Sequence, residues 1–146
     1  MDELALQVTE IGHVIQLAVA PVFLLSGVGI ILTVLTNRLA RVVDRARRLE
    51  DAADTADAPE RDALQRQLRV MARRARLMNR AITLSTISAL LVAVVVVTLF
   101  LGAFFDFNTS LPIAAMFILA MLALIGALLF FLREVFLSIS TLKIGE

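Results

Sequence analysis

The side chains best suited to chemistry are a few charged groups that border long apolar stretches. Arg133 and Glu134 follow one such stretch, while Arg38 and Arg80 border two others. Charged groups at membrane depth are costly and usually face protein or water. We therefore expect these four residues to form an inner charged collar. Within it, Glu134 is expected to pair with Arg38 or Arg80 and hold three helices together; a role for Glu134 in an ion pathway is the alternative.

A second polar set lies within the first apolar stretch. His13 and Gln16 lie about one helical turn apart, where either could hydrogen-bond to a neighbouring helix. A hydrated or locally bonded histidine is the alternative interpretation. The residues that we predict as a candidate pore or polar path are His13, Gln16, Ser26 and Thr33.

A helix kink is predicted in the same stretch at Pro21, Gly27 and Gly29, because proline removes one backbone hydrogen bond. Such a kink would permit gating, although proline and glycine in membrane helices often only shape packing.

Several chemistries have no residues to support them. The chain has no cysteine and one histidine, which excludes disulfides and thiolate metal sites. We predict no metal site, no cofactor and no catalytic residue. An enzyme is the weakest hypothesis, since no nucleophile–base pair accompanies Glu134.

Arginines recur at helical spacing between the first two apolar stretches. We interpret them as a solvated face partly paired with acidic residues, or as a face for anionic lipid heads or a protein partner. Nucleic acid is not expected, because no aromatic residue interleaves with the arginines. This lipid or partner face comprises Arg41, Arg45 and Arg48 on the outgoing helix and Arg66, Arg69, Arg73 and Arg76 on the returning one.

The elements that position these residues follow from hydropathy. Of the 146 residues, 60% are hydrophobic, and the mean hydropathy of +0.89 excludes a soluble domain. Each charge-poor stretch is long enough to cross a bilayer as a helix. We predict an all-α integral membrane protein, a single domain over 1–146, with three transmembrane helices at about 11–37, 81–105 and 109–132.

The segment 38–80 has apolar residues at alternating spacings of three and four, the pattern of two heptad seams. The segment 54–61 separates them and contains turn and helix-start residues, including Pro59. The first two transmembrane helices are therefore expected to extend into an antiparallel helical hairpin, and 133–146 forms a C-terminal tail. The predicted seam residues are Leu39, Val42, Ala46, Leu49 and Ala53 on one helix and Leu64, Leu68, Met71, Ala75 and Met78 on the other.

Charge asymmetry predicts the orientation. Residues 36–80 hold twelve of the fourteen basic residues against seven acidic ones, whereas the N-terminal segment is acidic. Positive loops face the cytoplasm, so the hairpin is predicted to be cytoplasmic, with the N-terminus outside and the C-terminus inside.

The stretch LAVAPVFLLSGVGIILTVLTNRLARVVDRARRLE (17–50), the basic hairpin and FLREVFLS (131–138) together resemble bacterial membrane proteins of domain-of-unknown-function family 2721. The resemblance implies a small protein of the bacterial inner membrane. It implies no activity, cofactor or binding residue.

Two functions are compatible with these patterns. The first is a homo-oligomeric ion channel or ion-translocating assembly, in which the arginine-rich collar favours anions. The alternative is a non-conducting membrane scaffold or assembly factor that binds partners through its arginine-rich hairpin. The expected partners are the lipid bilayer with its anionic heads, further copies of the chain, and an unknown protein.

Overall fold

The chain consists of three long helices. The computed structural model describes the backbone of residues 2–144 and the side chains of residues 2–139. The helices are α1 (Asp2–Asp54), α2 (Ala58–Phe105) and α3 (Ser110–Ile144). Each is long and apolar enough to cross a membrane, which confirms the predicted all-α membrane fold. The last two residues of the predicted C-terminal tail, and the side chains from residue 140 onward, lie outside the described residues.

The helices pack as two units. We name residues 32–84 with 126–144 the hairpin unit, and residues 2–31 with 85–125 the span unit. α1 continues through Arg38 and α2 through Arg80 without a break, which confirms that the first two helices extend into a hairpin.

The core of the hairpin unit contains Val42, Met71 and Met78, against which Leu39, Ala46, Leu49 and Ala75 pack. These residues lie on both predicted heptad seams, and every seam residue is buried or half-buried. Apolar residues at heptad spacing pair two antiparallel helices along their length. The seam prediction is therefore confirmed.

The hairpin turn between α1 and α2 is closed by Arg61. Its Nε donates to the carbonyl of Ala53 over 3.2 Å, and its Nη2 donates to that of Ala56 over 3.5 Å. The last carbonyls of a helix have no partner within the helix. The guanidinium of Arg61 supplies donors to this exposed end.

Small residues let the helices of the span unit approach closely. The hydroxyl of Ser88 on α2 donates to the carbonyl of Ala120 on α3 over 2.8 Å, and both residues are fully buried. Contacts of this kind are typical of membrane helices, where small side chains bring backbones together. Only 17% of the most apolar window of each helix is buried within the chain. The remaining apolar surface is left for lipid or for another protein.

The turn between α2 and α3 is shaped by Asp106 at the end of α2 and by the contact of Thr109 with Gly102. Asp106 has φ 61°, a left-handed conformation that ends α2. Thr109 packs against Gly102, where a Cβ would lie 2.7 Å from the Thr109 hydroxyl oxygen. Glycine at position 102 therefore allows the turn to fold back onto α2.

Adjacent valines provide a test of the hairpin core, because Val42 is 5% exposed and Val43 is 36% exposed. Val42→Ala should destabilise the fold by about 1.5–3 kcal/mol through lost burial and a cavity, whereas Val43→Ala should cost about 0.5 kcal/mol or less. Unfolding by sodium dodecyl sulfate titration of detergent-solubilised protein, followed by circular dichroism, measures both. Equal losses would show that the two valines are equally buried.

Candidate functional site

A fully buried carboxylate lies between two arginines in the hairpin unit. Oε2 of Glu134 accepts from Arg38 Nε at 3.1 Å and from Arg38 Nη2 at 2.8 Å. Oε1 accepts from Arg74 Nε at 3.0 Å, and Arg74 Nη2 also lies 3.0 Å from it. Each carboxylate oxygen is therefore held by a different guanidinium. We call Arg38, Arg74 and Glu134 the charged triad.

The triad joins all three helices, because Arg38 comes from α1, Arg74 from α2 and Glu134 from α3. Further contacts hold the arginines in place. Arg74 Nη2 donates to the Ser138 hydroxyl over 3.3 Å, and the guanidinium of Arg38 lies 5.4 Å from the ring centre of Phe131. The carboxylate thus fixes the relative register of the helices in this unit.

Burial within the triad is graded. The side chain of Glu134 is 0% exposed, that of Arg74 13% and that of Arg38 33%. A buried charge is tolerated when it is paired and its lone pairs are satisfied, and loss of one partner leaves a costly unpaired charge. Two positive groups and one negative group leave the triad with one excess positive charge.

The structure places the four residues of the predicted inner collar at two different sites. Arg38 and Glu134 contact each other as predicted, but the second partner of Glu134 is Arg74, so the Arg80 alternative is wrong. Arg80 lies six residues after Arg74, about 240° further round the helix. It is exposed, and its guanidinium lies 5.9 Å from the ring centre of Phe130. Arg133 is also exposed, one residue from Glu134.

Arg74 was missed by sequence reasoning, although its position carries a signal. The buried residues Met71, Met78 and Ala81 of α2 follow a heptad row, and Arg74 occupies the row position between Met71 and Met78. An arginine in an otherwise apolar row indicates a buried ion pair. Arg74 belongs neither to the predicted arginine face nor to the predicted seam of α2.

The predicted lipid or partner face is exposed. Among the described residues, its seven arginines have no carboxylate within salt-bridge distance. Arg66 does donate to the Asp62 carbonyl of its own helix. The exposed members are Arg41, Arg45, Arg48, Arg66, Arg69, Arg73 and Arg76.

Among the described residues, two cavities of the hairpin unit are each lined by four arginines. The α1–α2 groove, of about 190 Å³, is lined by two apolar residues and by Arg38, Arg41, Arg45 and Arg74. The α2–α3 groove, of about 370 Å³, is lined by Leu77, Leu137 and the arginines Arg73, Arg76, Arg80 and Arg133. Four of the seven exposed arginines of the face, Arg41, Arg45, Arg73 and Arg76, line these two cavities.

The predicted polar path lies on the outside of α1. The Ser26 hydroxyl donates to the Val22 carbonyl of its own helix over 3.4 Å. α1 is continuous through the buried Pro21 and through Gly27 and Gly29; the kink stays a prediction. The exposed members of the path are His13, Gln16, Ser26 and Thr33. Among the described residues, no group of three His, Cys, Asp or Glu side chains could hold a metal ion.

Comparison with known proteins identifies the family of the chain. A family model described as Protein of unknown function (DUF2721) matches residues 18–144. The chain belongs to this family. The match covers the charged triad and both arginine grooves. Comparisons with curated proteins and with solved structures give no match, so membership identifies the fold group without an activity.

Replacement of the buried carboxylate should be costly. Glu134→Ala leaves two guanidiniums without their shared partner and is expected to destabilise the fold by about 3–5 kcal/mol. Arg133→Ala is the matched control, because Arg133 is adjacent, exposed and outside the triad; its effect should stay within about 0.5 kcal/mol. Thermal unfolding in detergent measures both. Unchanged stability of Glu134→Ala would contradict the burial of this carboxylate.

Proposed function

We propose that this protein is a non-conducting membrane scaffold whose helical hairpin docks an acidic partner protein through its exposed arginines. The observation that carries the proposal is the uncompensated positive charge of that face. Seven exposed arginines on two paired helices have no carboxylate within salt-bridge distance among the described residues. Such a field attracts and orients a negative surface.

The packing of the hairpin unit supports this function. The seam of α1 and α2 and the charged triad hold the arginines on fixed helical faces. A partner that binds a preorganised surface loses less conformational entropy than one that must order it. Rigid display of charge therefore fits a docking platform, and we expect no enzymatic activity.

Placement of the hairpin in the cytoplasm belongs to the same proposal. The excess of arginine in this segment fits the positive-inside rule. In this arrangement the N-terminus is outside and the C-terminus inside, and the resemblance to bacterial membrane proteins suggests the inner membrane.

A homo-oligomeric channel is the second candidate. It is favoured by the exposure of His13 and Gln16 on α1, because polar side chains in an apolar environment are unfavourable unless they find hydrogen bonds. Contact between copies would cover them, and Ser26 and Thr33 would extend a polar path between subunits. In this case the pathway lies between chains.

Cross-linking in intact bacterial cells tests the scaffold. A photoreactive amino acid at the exposed Ala72, between Arg69 and Arg73 on α2, should give one discrete protein adduct. Arg69→Glu with Arg73→Glu should abolish that adduct, whereas lysine at both positions should retain it. His13→Ala with Gln16→Ala should leave it unchanged. An adduct insensitive to charge reversal, or no adduct, would contradict docking by the arginines.

Conduction is measured separately on protein in liposomes, with the subunit number determined by native mass spectrometry in nanodiscs. The scaffold predicts no ion flux above protein-free liposomes. Flux from a ring of four or more copies that changes with His13→Ala or Gln16→Ala would overturn the scaffold in favour of the channel.

A further inference from the structure

The α2–α3 groove is a strongly basic concavity in the hairpin unit. Arg73, Arg76 and Arg80 come from α2 and Arg133 from α3, around a cavity of about 370 Å³. Among the described residues, no carboxylate lines this cavity. Among the residues that the structure describes, none of these four arginines takes part in a salt bridge.

The α1–α2 groove has the same number of arginines but a different charge balance. Two of them, Arg38 and Arg74, share the carboxylate of Glu134. The arginines of the α2–α3 groove have no such carboxylate partner among the residues that the structure describes. Like charges at helical spacing repel, so an anion with at least two negative charges would relieve repulsion in the α2–α3 groove.

The position of the α2–α3 groove indicates where this anion comes from. Arg80 is the last charge before the apolar stretch 81–105, and Arg133 is the first charge after the stretch 109–132. Both residues therefore lie where the hydrocarbon region is expected to end, at the depth of lipid phosphates. Leu77 and Leu137 provide apolar walls in the same cavity.

The length of the arginine row fits two phosphates better than one. Arg73 and Arg80 are seven residues apart, a rise of about 10 Å along α2. Arginine binds phosphate oxygens through paired N–H donors. A headgroup with two phosphates could engage one end of the row at Arg80 and the other at Arg73.

We propose that the α2–α3 groove is a binding site for an anionic phospholipid whose headgroup carries two phosphates, as in cardiolipin. Basic pockets between membrane helices on the cytoplasmic side bind such headgroups. The groove supplies four guanidiniums and an apolar wall at the membrane boundary. This site goes beyond the proposed function, since it requires neither a protein partner nor conduction.

The test measures lipid binding to detergent-purified protein by native mass spectrometry, with cardiolipin, phosphatidylglycerol and phosphatidylcholine as probes. The wild type should bind cardiolipin most tightly. Arg76→Gln with Arg133→Gln should weaken cardiolipin binding at least about tenfold, corresponding to about 1.4 kcal/mol. Arg41→Gln with Arg45→Gln removes the same charge from the α1–α2 groove and should change binding less than about twofold. Circular dichroism verifies that both variants fold.

Three results would overturn the proposal. Equal losses in the two double variants would indicate non-specific attraction by net charge. Equal affinity for all three lipids would show that the groove does not select the headgroup. Displacement of cardiolipin by millimolar pyrophosphate, together with direct pyrophosphate binding that depends on Arg76 and Arg133, would assign the site to a soluble phosphate compound instead.

Discussion

The carboxylate of Glu134 is fully buried. Its need for positively charged partners constrains the surrounding helices. An isolated carboxylate in a medium of low dielectric constant loses its hydration, a cost that opposite charges and hydrogen bonds must offset. Here Arg38 and Arg74 each hold one oxygen. A shift of α1, α2 or α3 by one residue would separate at least one of these contacts.

The triad contributes more to the relative register of the three helices than to the stability of the fold. A buried ion pair often contributes no more than well-packed apolar residues of the same volume. It does discriminate strongly between arrangements, because a misaligned helix would bury an unpaired charge. The apolar seam contains only apolar side chains, so a slipped seam would still bury apolar groups, whereas a slipped triad would bury an unpaired charge. Seam packing and charge pairing are therefore complementary constraints on one hairpin unit.

Most of the fold could be predicted from the pattern of apolar and charged residues in the sequence. Heptad spacing identified Val42 and Met78, and the lack of breaks at Arg38 and Arg80 predicted helices that continue beyond the apolar stretches. The candidate site was harder to predict from the sequence, because the charge of an arginine does not show whether its side chain is buried or exposed. Arg74 lies in an apolar row and becomes a partner of Glu134, whereas Arg80 lies on another face of the same helix. The apolar row indicates that Arg74 is buried, but the carboxylate with which it pairs depends on where α3 packs, which spacing within α2 does not specify.

A double-mutant cycle between Arg74 and Glu134 is the most direct test of the triad. The free energy of unfolding is measured for Arg74→Gln, Glu134→Gln and the double variant, with Arg80→Gln replacing Arg74→Gln in a control cycle. We expect a coupling energy of at least about 1.5 kcal/mol for Arg74 with Glu134, and additivity within about 0.5 kcal/mol for Arg80 with Glu134. Additivity in both cycles would contradict the claim that Glu134 holds the three helices together through Arg74.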